Sequence, residues 1–173
     1  RPVYINVEVG RDDDGLPIYA NEEVEGHYAT VRDGGGQGPV GLGIVKSRYE
    51  VTQIKDLAEV GQSVVGLSGG DAVWDTMGAL GKGERWFAYL RLPSITVDPG
   101  GIADVVDQGL VVATSFDGTM ANTLGWSSTR VVCANTLAMA LGKGVVDKIT
   151  VKHTASAEER LRTAAEGLGM YRK

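Results

Sequence analysis

Cysteine and histidine are scarce in this chain of 173 residues, which limits the chemistry available to it. The one cysteine, Cys133, excludes an internal disulfide framework and a zinc site built from several cysteines. The two histidines, His27 and His153, disfavour a metal site built on imidazole. Two pairs of carboxylates, Asp71 with Asp75 and Asp104 with Asp107, could serve acid–base or metal chemistry, but no third ligand accompanies them and surface charge is the favoured interpretation. We expect no metal, no cofactor and no catalytic residue, and a protein that is not an enzyme.

Long apolar runs are missing as well. No stretch approaches the roughly 20 consecutive apolar residues of a membrane-spanning helix, and no signal-peptide pattern opens the chain, so we expect no membrane partner. Hydrophobic residues make up 43% of the sequence and charged residues 23%, which is typical of one globular domain over residues 1–173. Glycine, with 25 residues, is about twice its usual share and indicates turns and hairpins.

Charge is unevenly distributed along the chain. Residues 1–119 carry nine lysines and arginines against eighteen acidic residues, and residues 120–173 carry eight against four, for a net charge of −5. Such asymmetry indicates a dipolar surface, or subunits that meet through complementary charge. The alternative is that acidic loops only keep the protein soluble.

The first part of the sequence predicts a hairpin extension over residues 1–25, ahead of a core over residues 26–168. Apolar residues alternate in the first strand, at Val3, Ile5, Val7 and Val9. Three aspartates near the turn lack the ligand order of a calcium loop, so they predict a solvated hairpin tip. Strands at 27–32 and 40–46 follow, separated by a glycine-rich loop that lacks the lysine of a phosphate-binding loop.

The middle of the chain predicts a helix over 53–66, with Thr52 as its N-cap. Two hairpins follow over 71–92 and 109–127, the second with an Asp-Gly turn. A proline ends the second strand of the first hairpin, so residues 93–108 are predicted as a loop, with a short edge strand as an option at 95–97.

The last third predicts a central helix through Leu141, a strand at 149–151 and a final helix opened by a capping box at Ser156. Cys133 lies in the most apolar segment and is predicted to be buried and inert, not a nucleophile paired with His153. The order of elements predicts an α+β domain with a curved antiparallel sheet built from hairpins and about three helices packed mainly on one face.

Cations beside aromatic residues form the main candidate site. Binding of single-stranded nucleic acid needs a cationic groove for phosphates and aromatic faces on which bases stack. The candidate residues lie at turns or element ends and are Arg48, Tyr49, Lys82, Arg85, Trp86, Arg130, Lys152 and His153. The alternatives are a structural ion pair for Arg130 and core positions for most of the other aromatic residues, namely Trp74, Phe87, Tyr89 and Trp126. The overall acidity disfavours strong non-specific DNA binding.

Four segments are similar to motifs of a known family. Residues 43–53 resemble G-x-V-x-x-R-Y-x-x-x-Q, and residues 114–119 resemble N-S-H-D-G-S with Phe116 in place of the histidine. Residues 129–137 resemble P-V-R-V-V-C-x-N-T-L, and Lys152-His153-Thr154 resembles the start of I-R-H-T…R-L. In this order they resemble the phage/plasmid-like family built on domain of unknown function 932, over roughly residues 26–168.

The resemblance implies a phage- or plasmid-encoded protein in the bacterial cytoplasm. The order of hairpins and helices is also similar to phage single-strand annealing proteins, an analogy of fold alone. The leading hypothesis is a non-enzymatic, homo-oligomeric protein that binds and anneals single-stranded DNA in recombination or replication. The alternative is a phage accessory protein that acts through protein–protein contacts, in counter-defence or assembly.

Overall fold

The computed structural model describes residues 1–98, 100–101, 103–142 and 145–170, and within them the chain forms eight strands and three α-helices. The strands are β1 (Pro2–Arg11), β2 (Pro17–Arg32), β3 (Val40–Lys46), β4 (Val73–Leu80), β5 (Arg85–Val97), β6 (Asp104–Ser115), β7 (Asn122–Ser127) and β8 (Val145–Val151). The helices are α1 (Ile54–Leu67), α2 (Ala134–Leu141) and α3 (Ala157–Met170). The predicted order of strands and helices is confirmed.

Both sheets are antiparallel, which confirms the α+β class. The strands form two sheets in place of the single predicted one: a three-stranded sheet of order β1-β2-β3 and a five-stranded sheet of order β4-β5-β6-β7-β8. Strands that are hydrogen-bonded to each other in either sheet are also consecutive in the chain. Short connections join these pairs, except that a longer segment containing α2 joins β7 to β8.

The core lies on both faces of the five-stranded sheet. On one face, Trp86 and Leu90 of β5 pack in a cluster with Leu57 of α1 and Leu161 of α3. On the other face, Tyr89 and its neighbours pack in a second cluster with residues of α2. Two helices therefore cover one face and α2 covers the other, while β5 and β6 are buried between them.

The predicted hairpins are present, but their strands are longer than expected. β5 continues through Pro93 to Val97 and β6 begins at Asp104, so most of the predicted loop over 93–108 is strand, and the optional edge strand at 95–97 is the end of β5. A register shift between Leu92 and Ile95 accommodates the proline, which cannot donate to the ladder. Gly118 has a φ of 77°, as the predicted turn requires, although the connection from β6 to β7 is longer than a two-residue turn.

Helix α1 begins one residue later than predicted. Its N-cap is Gln53, not Thr52, and Asp56 completes a capping box by accepting a hydrogen bond from the Gln53 N–H at 3.0 Å. The Thr52 side chain is instead buried and takes part in a polar network described below.

The prediction that Cys133 is buried is wrong. α2 begins only at Ala134, so Cys133 is its exposed N-cap, and Val132 and Met139 are exposed as well. The apolar segment therefore does not form a central helix. Hydrogen bonds from Thr136, through its side chain and its backbone, and from the Asn135 N–H hold the pKa of the Cys133 thiol below its usual value.

We expect Cys133 to react rapidly with a thiol reagent in the native protein. Exposure and the stabilised thiolate should give a labelling rate at neutral pH at least equal to that of the unfolded chain. The Thr136→Val variant should label more slowly, because it removes the hydroxyl partner. Native labelling that is much slower than that of the unfolded chain would contradict the placement.

The N-terminal hairpin projects as a two-stranded ribbon over residues 1–26, hereafter the ribbon. β1 pairs with the first part of β2, and only the part of β2 from His27 onward pairs with β3. Most side chains of the ribbon are exposed. None of the described helices is both long and apolar enough to cross a membrane.

Candidate nucleic-acid interface

A pocket of about 620 Å³ lies where β3, the β6–β7 connection and the end of β8 meet. Lys46, Arg48 and Lys152 contribute positive charge to its wall, and Asp117 is the one acidic residue among the described residues that line it. We call it the basic pocket. None of the three cations is in a salt bridge within the described part of the chain.

Backbone contacts bring these distant segments together. The Glu50 N–H donates to the His153 carbonyl at 3.2 Å, which joins the segment after β3 to the segment after β8. The Thr30 hydroxyl donates to the Phe116 carbonyl at 2.5 Å, which holds the β2–β3 hairpin against the β6–β7 connection. A β-carbon at Gly43 would collide with the backbone of Asp117, so this approach requires glycine.

Two predicted residues form a stacked pair in the wall of the pocket. The Tyr49 and His153 rings lie 4.5 Å apart at an angle of 22°. The Tyr49 hydroxyl donates to the Ser115 carbonyl at 2.6 Å. Burial, assisted by the nearby Asp117 carboxylate, raises the pKa of Tyr49, so its hydroxyl keeps its proton at neutral pH.

A buried polar network lies beneath this pair. Asn122 is fully buried; it donates to the Thr52 hydroxyl at 2.8 Å and accepts from the Thr114 hydroxyl at 2.7 Å. His153 Nε2 lies 3.1 Å from the Met120 carbonyl, and Nδ1 lies 3.5 Å from the Thr52 hydroxyl. Because a carbonyl only accepts, the contact with Met120 is a hydrogen bond in the tautomer that carries its proton on Nε2.

His153 therefore acts as a neutral, structural side chain and not as a cation. It is 7% exposed, and burial lowers its pKa below the usual 6.5. Its ring positions Tyr49 and ties Thr52 to the β6–β7 connection. Of the predicted pocket residues, Arg48 and Lys152 are the ones that supply charge.

We expect acid to destabilise the protein through His153. The folded state disfavours the protonated ring. The contribution of His153 to the free energy of unfolding is therefore fully present above about pH 6.5. It decreases as the pH drops toward the lower pKa of the folded state, by at most about 1.4 kcal/mol per pH unit. Thermal melts at pH 7.5 and 5.5 should show a smaller loss in His153→Gln than in the wild type. His27→Gln is the matched control and should keep the wild-type loss; an equal loss in His153→Gln would refute this role.

Asp117 is positioned by its own loop. Burial alone would raise its pKa, but hydrogen bonds from the Thr119 hydroxyl and N–H outweigh burial and hold the pKa below its usual value. Arg85 donates to the Thr119 hydroxyl at 3.3 Å and so lies beside this loop. The negative charge of Asp117 offsets one of the cations of the basic pocket.

Lys82 lines a second pocket, of about 750 Å³, which includes Leu42 of β3. The pockets are neighbours, since Leu42 and Phe116 line this one and Ile44 and Asp117 line the basic pocket. We call it the apolar pocket. Trp86 is 5% exposed and packs in the core, so it presents no ring face on which a base could stack.

Arg130 is placed apart from the other candidates. Its Nε donates to the Asp75 carboxylate at 2.6 Å, and Arg91 lies 3.8 Å from the same carboxylate. The Arg130 hydrogen bond is the main reason that the pKa of Asp75 lies below its usual value. The structural ion pair considered for Arg130 is thus present, and Arg130 does not line either pocket.

Sequence reasoning missed several residues of this region. Lys46 lies two residues before Arg48 at the end of a strand and lines the same pocket, although the candidate set did not include it. Arg32 donates to the Lys82 carbonyl at 2.7 Å from the end of β2. Thr52, Thr114 and Asn122 carried no signal, because their partners lie far away in the sequence.

A comparison with family models decides the family. The model of a domain of unknown function, DUF932, matches residues 41–173, well over half of the chain. The chain belongs to the DUF932 family. No curated protein and no solved structure matches the chain.

The DUF932 match begins at β3, so the ribbon lies outside it. Three of the motif-like segments meet at the basic pocket, through Arg48, Asp117 and Lys152. The fourth, over residues 129–137, lies at α2 and the Asp75 ion pair instead. Within the family match, residues from three distant segments therefore build one pocket.

Proposed function

We propose that this member of the DUF932 family binds single-stranded nucleic acid in the basic pocket. The observation that carries the proposal is the convergence of Lys46, Arg48 and Lys152 on one pocket without salt-bridge partners among the described residues. In a chain of net charge −5, three such cations against one carboxylate favour a phosphate-bearing ligand.

The size and lining of the pocket favour a single strand over a duplex. About 620 Å³ is the volume of a small-ligand site, which suits a nucleotide or a short extended strand. Tyr49 is partly exposed beside the cations, so it is the aromatic residue of the candidate set best placed to contact a base. Lys82 lines the neighbouring pocket and Arg85 contacts Thr119 beside Asp117, so these two cations would continue the path of the nucleic-acid strand beyond the basic pocket.

The biological role follows from the same chemistry. Holding extended strands in cationic pockets on several subunits would promote annealing without any chemical step, so the protein is proposed as non-enzymatic. The family resemblance supports a phage or plasmid origin and a place in the bacterial cytoplasm, whereas a role in recombination or replication rests on the analogy of fold with annealing proteins. A homo-oligomer would present several pockets to one strand.

The pocket assignment is tested with fluorescence anisotropy on a labelled single-stranded oligonucleotide. Arg48→Ala with Lys152→Ala should weaken binding and reduce the slope of log affinity against log salt by about 0.7 for each lost contact. The control, Lys148→Ala with Arg162→Ala, removes the same charge outside the basic pocket and should bind like the wild type. Equal losses in both variants would argue for net charge alone and against the pocket.

A second candidate function, action through protein–protein contacts, is favoured by the ribbon. Its exposed apolar side chains include Tyr4, Ile5, Val9, Ile18 and Tyr19. Exposed apolar surface of this kind marks interaction sites. A folded chain that binds no oligonucleotide at low salt would shift the assignment to this accessory role.

A further inference from the structure

The apolar pocket exposes hydrophobic side chains beneath a cationic rim. Val31, Val51 and Ile54 line it and are each 38–42% exposed, which is unusual for three large apolar residues in one pocket. Its rim carries three cations, Arg32, Lys55 and Lys82. Asp33 is the one acidic residue among the described residues of the lining. A segment that fits this pocket would therefore have an apolar side chain at its end and acidic side chains beside it.

The ribbon ends in a segment with those properties. Asp12 holds the turn by accepting hydrogen bonds from the N–H groups of Asp14 and Leu16, at 3.0 and 2.8 Å. The Asp13 and Asp14 carboxylates have no hydrogen bond or ion pair within the described part of the chain, and Leu16 is 62% exposed. We call residues 12–16 the hairpin tip.

We propose that the hairpin tip of one copy of this chain docks in the apolar pocket of a second copy. Leu16 enters the pocket, and the Asp13 and Asp14 carboxylates meet Lys55 and Lys82 at the rim.

Charge decides between this contact and a contact between two ribbons. Residues 1–26 carry two arginines against seven acidic residues, a net charge of −5, so the rest of the chain is neutral in sum. Two ribbons would repel each other, whereas a ribbon and the cationic rim attract. The contact also removes the exposed Leu16 side chain from water.

The contact is head-to-tail, since the tip and the pocket are different surfaces. Such heterologous contacts close into a ring or continue as a filament. Because neighbouring residues of β3 line the two pockets, each docked copy would carry its basic pocket next to the contact, and successive copies would present their basic pockets in series.

The apolar half of the contact is tested by sedimentation velocity on the full chain over a range of concentrations at low salt. The wild type should assemble, and Leu16→Ser should sediment as the 18.3 kDa monomer. Val105→Ser is the matched control, because Val105 is also 62% exposed but lies outside the tip and the pocket, and it should assemble like the wild type. A monomeric wild type, or an assembled Leu16→Ser, overturns the proposal.

The charged half is tested by two reversals in separate chains. Asp13→Lys with Asp14→Lys, and Lys55→Asp with Lys82→Asp, should each be monomeric alone. Mixed in equal amounts they should assemble again, because each tip then meets an oppositely charged rim. If circular dichroism shows that both variants are folded and the mixture does not assemble, the proposal is overturned. If either variant does not fold, the Leu16→Ser result decides.

Discussion

Replacing Asn122 with alanine is expected to lower the free energy of unfolding by about 3 kcal/mol. The change leaves the Thr114 hydroxyl without its acceptor and the Thr52 hydroxyl without its donor, in a site closed to water. Each unsatisfied buried polar group costs about 1–3 kcal/mol. The effect also reaches the basic pocket, since Thr52 and Thr114 contact the His153 ring.

Urea unfolding of the wild type and the variant measures this loss. Asn6→Ala is the control, because Asn6 is exposed on the ribbon, and it should change stability by less than about 0.5 kcal/mol. Adding Thr114→Val to Asn122→Ala should cost less than Thr114→Val alone, because one partner of the pair is already gone. Additive losses in this double-mutant cycle would contradict the network.

Replacing Gly109 with alanine is expected to cost about 3 kcal/mol. Gly109 pairs with Arg91 and Ser127 in the middle of the five-stranded sheet, and an added β-carbon would collide with the hydroxyl end of the Tyr89 side chain. Tyr89 is itself fully packed and has little room to move. Overpacking of this kind costs about 1–3 kcal/mol, and the rigid ring places the site at the upper end.

Gly78→Ala is the matched control for Gly109→Ala. Gly78 also lies in a strand, but its added β-carbon would sit 3.5 Å from the Phe87 ring, which is an ordinary contact. Thermal or urea melts should show this variant within about 1 kcal/mol of the wild type, or slightly more stable. Equal losses at Gly78 and Gly109 would mean that Tyr89 does not occupy the position described.

Local patterns were sufficient for the order of elements. The alternation over Val3–Val9, the glycines at the hairpin turns and the capping signal at Ser156 each act within a few residues. The errors arose where distant packing decided the outcome. Pro93 was taken as the end of a strand, but pairing with β6 continues the strand through a register shift.

The region around Cys133 shows the same limit. Its apolar neighbours predicted a buried helix, yet Val131, Leu137 and Ala140 pack against the sheet while Val132 and Met139 face solvent. A short helix that packs on the face of a sheet through one side keeps the other side exposed. The sequence alone does not show which side of the helix the sheet covers.

The candidate site was predictable in its cations but not in its arrangement. Arg48 and Lys152 were identified because they lie at strand ends, where side chains converge. Trp86 also follows a turn, but successive side chains of β5 point to opposite faces of the sheet, and Trp86 points into the core. The Tyr49–His153 stack joins residues about one hundred positions apart, and no local pattern encodes such a contact.

Salt dependence of single-strand binding by the wild-type chain tests the central claim most directly. If the three cations of the basic pocket contact phosphates, the slope of log affinity against log salt should be about −2 on single-stranded DNA, at about −0.7 per contact. A duplex of the same sequence should bind more weakly, because the pocket accommodates one strand. A folded chain that binds neither oligonucleotide at low salt, or binds with a slope near zero, would contradict the account.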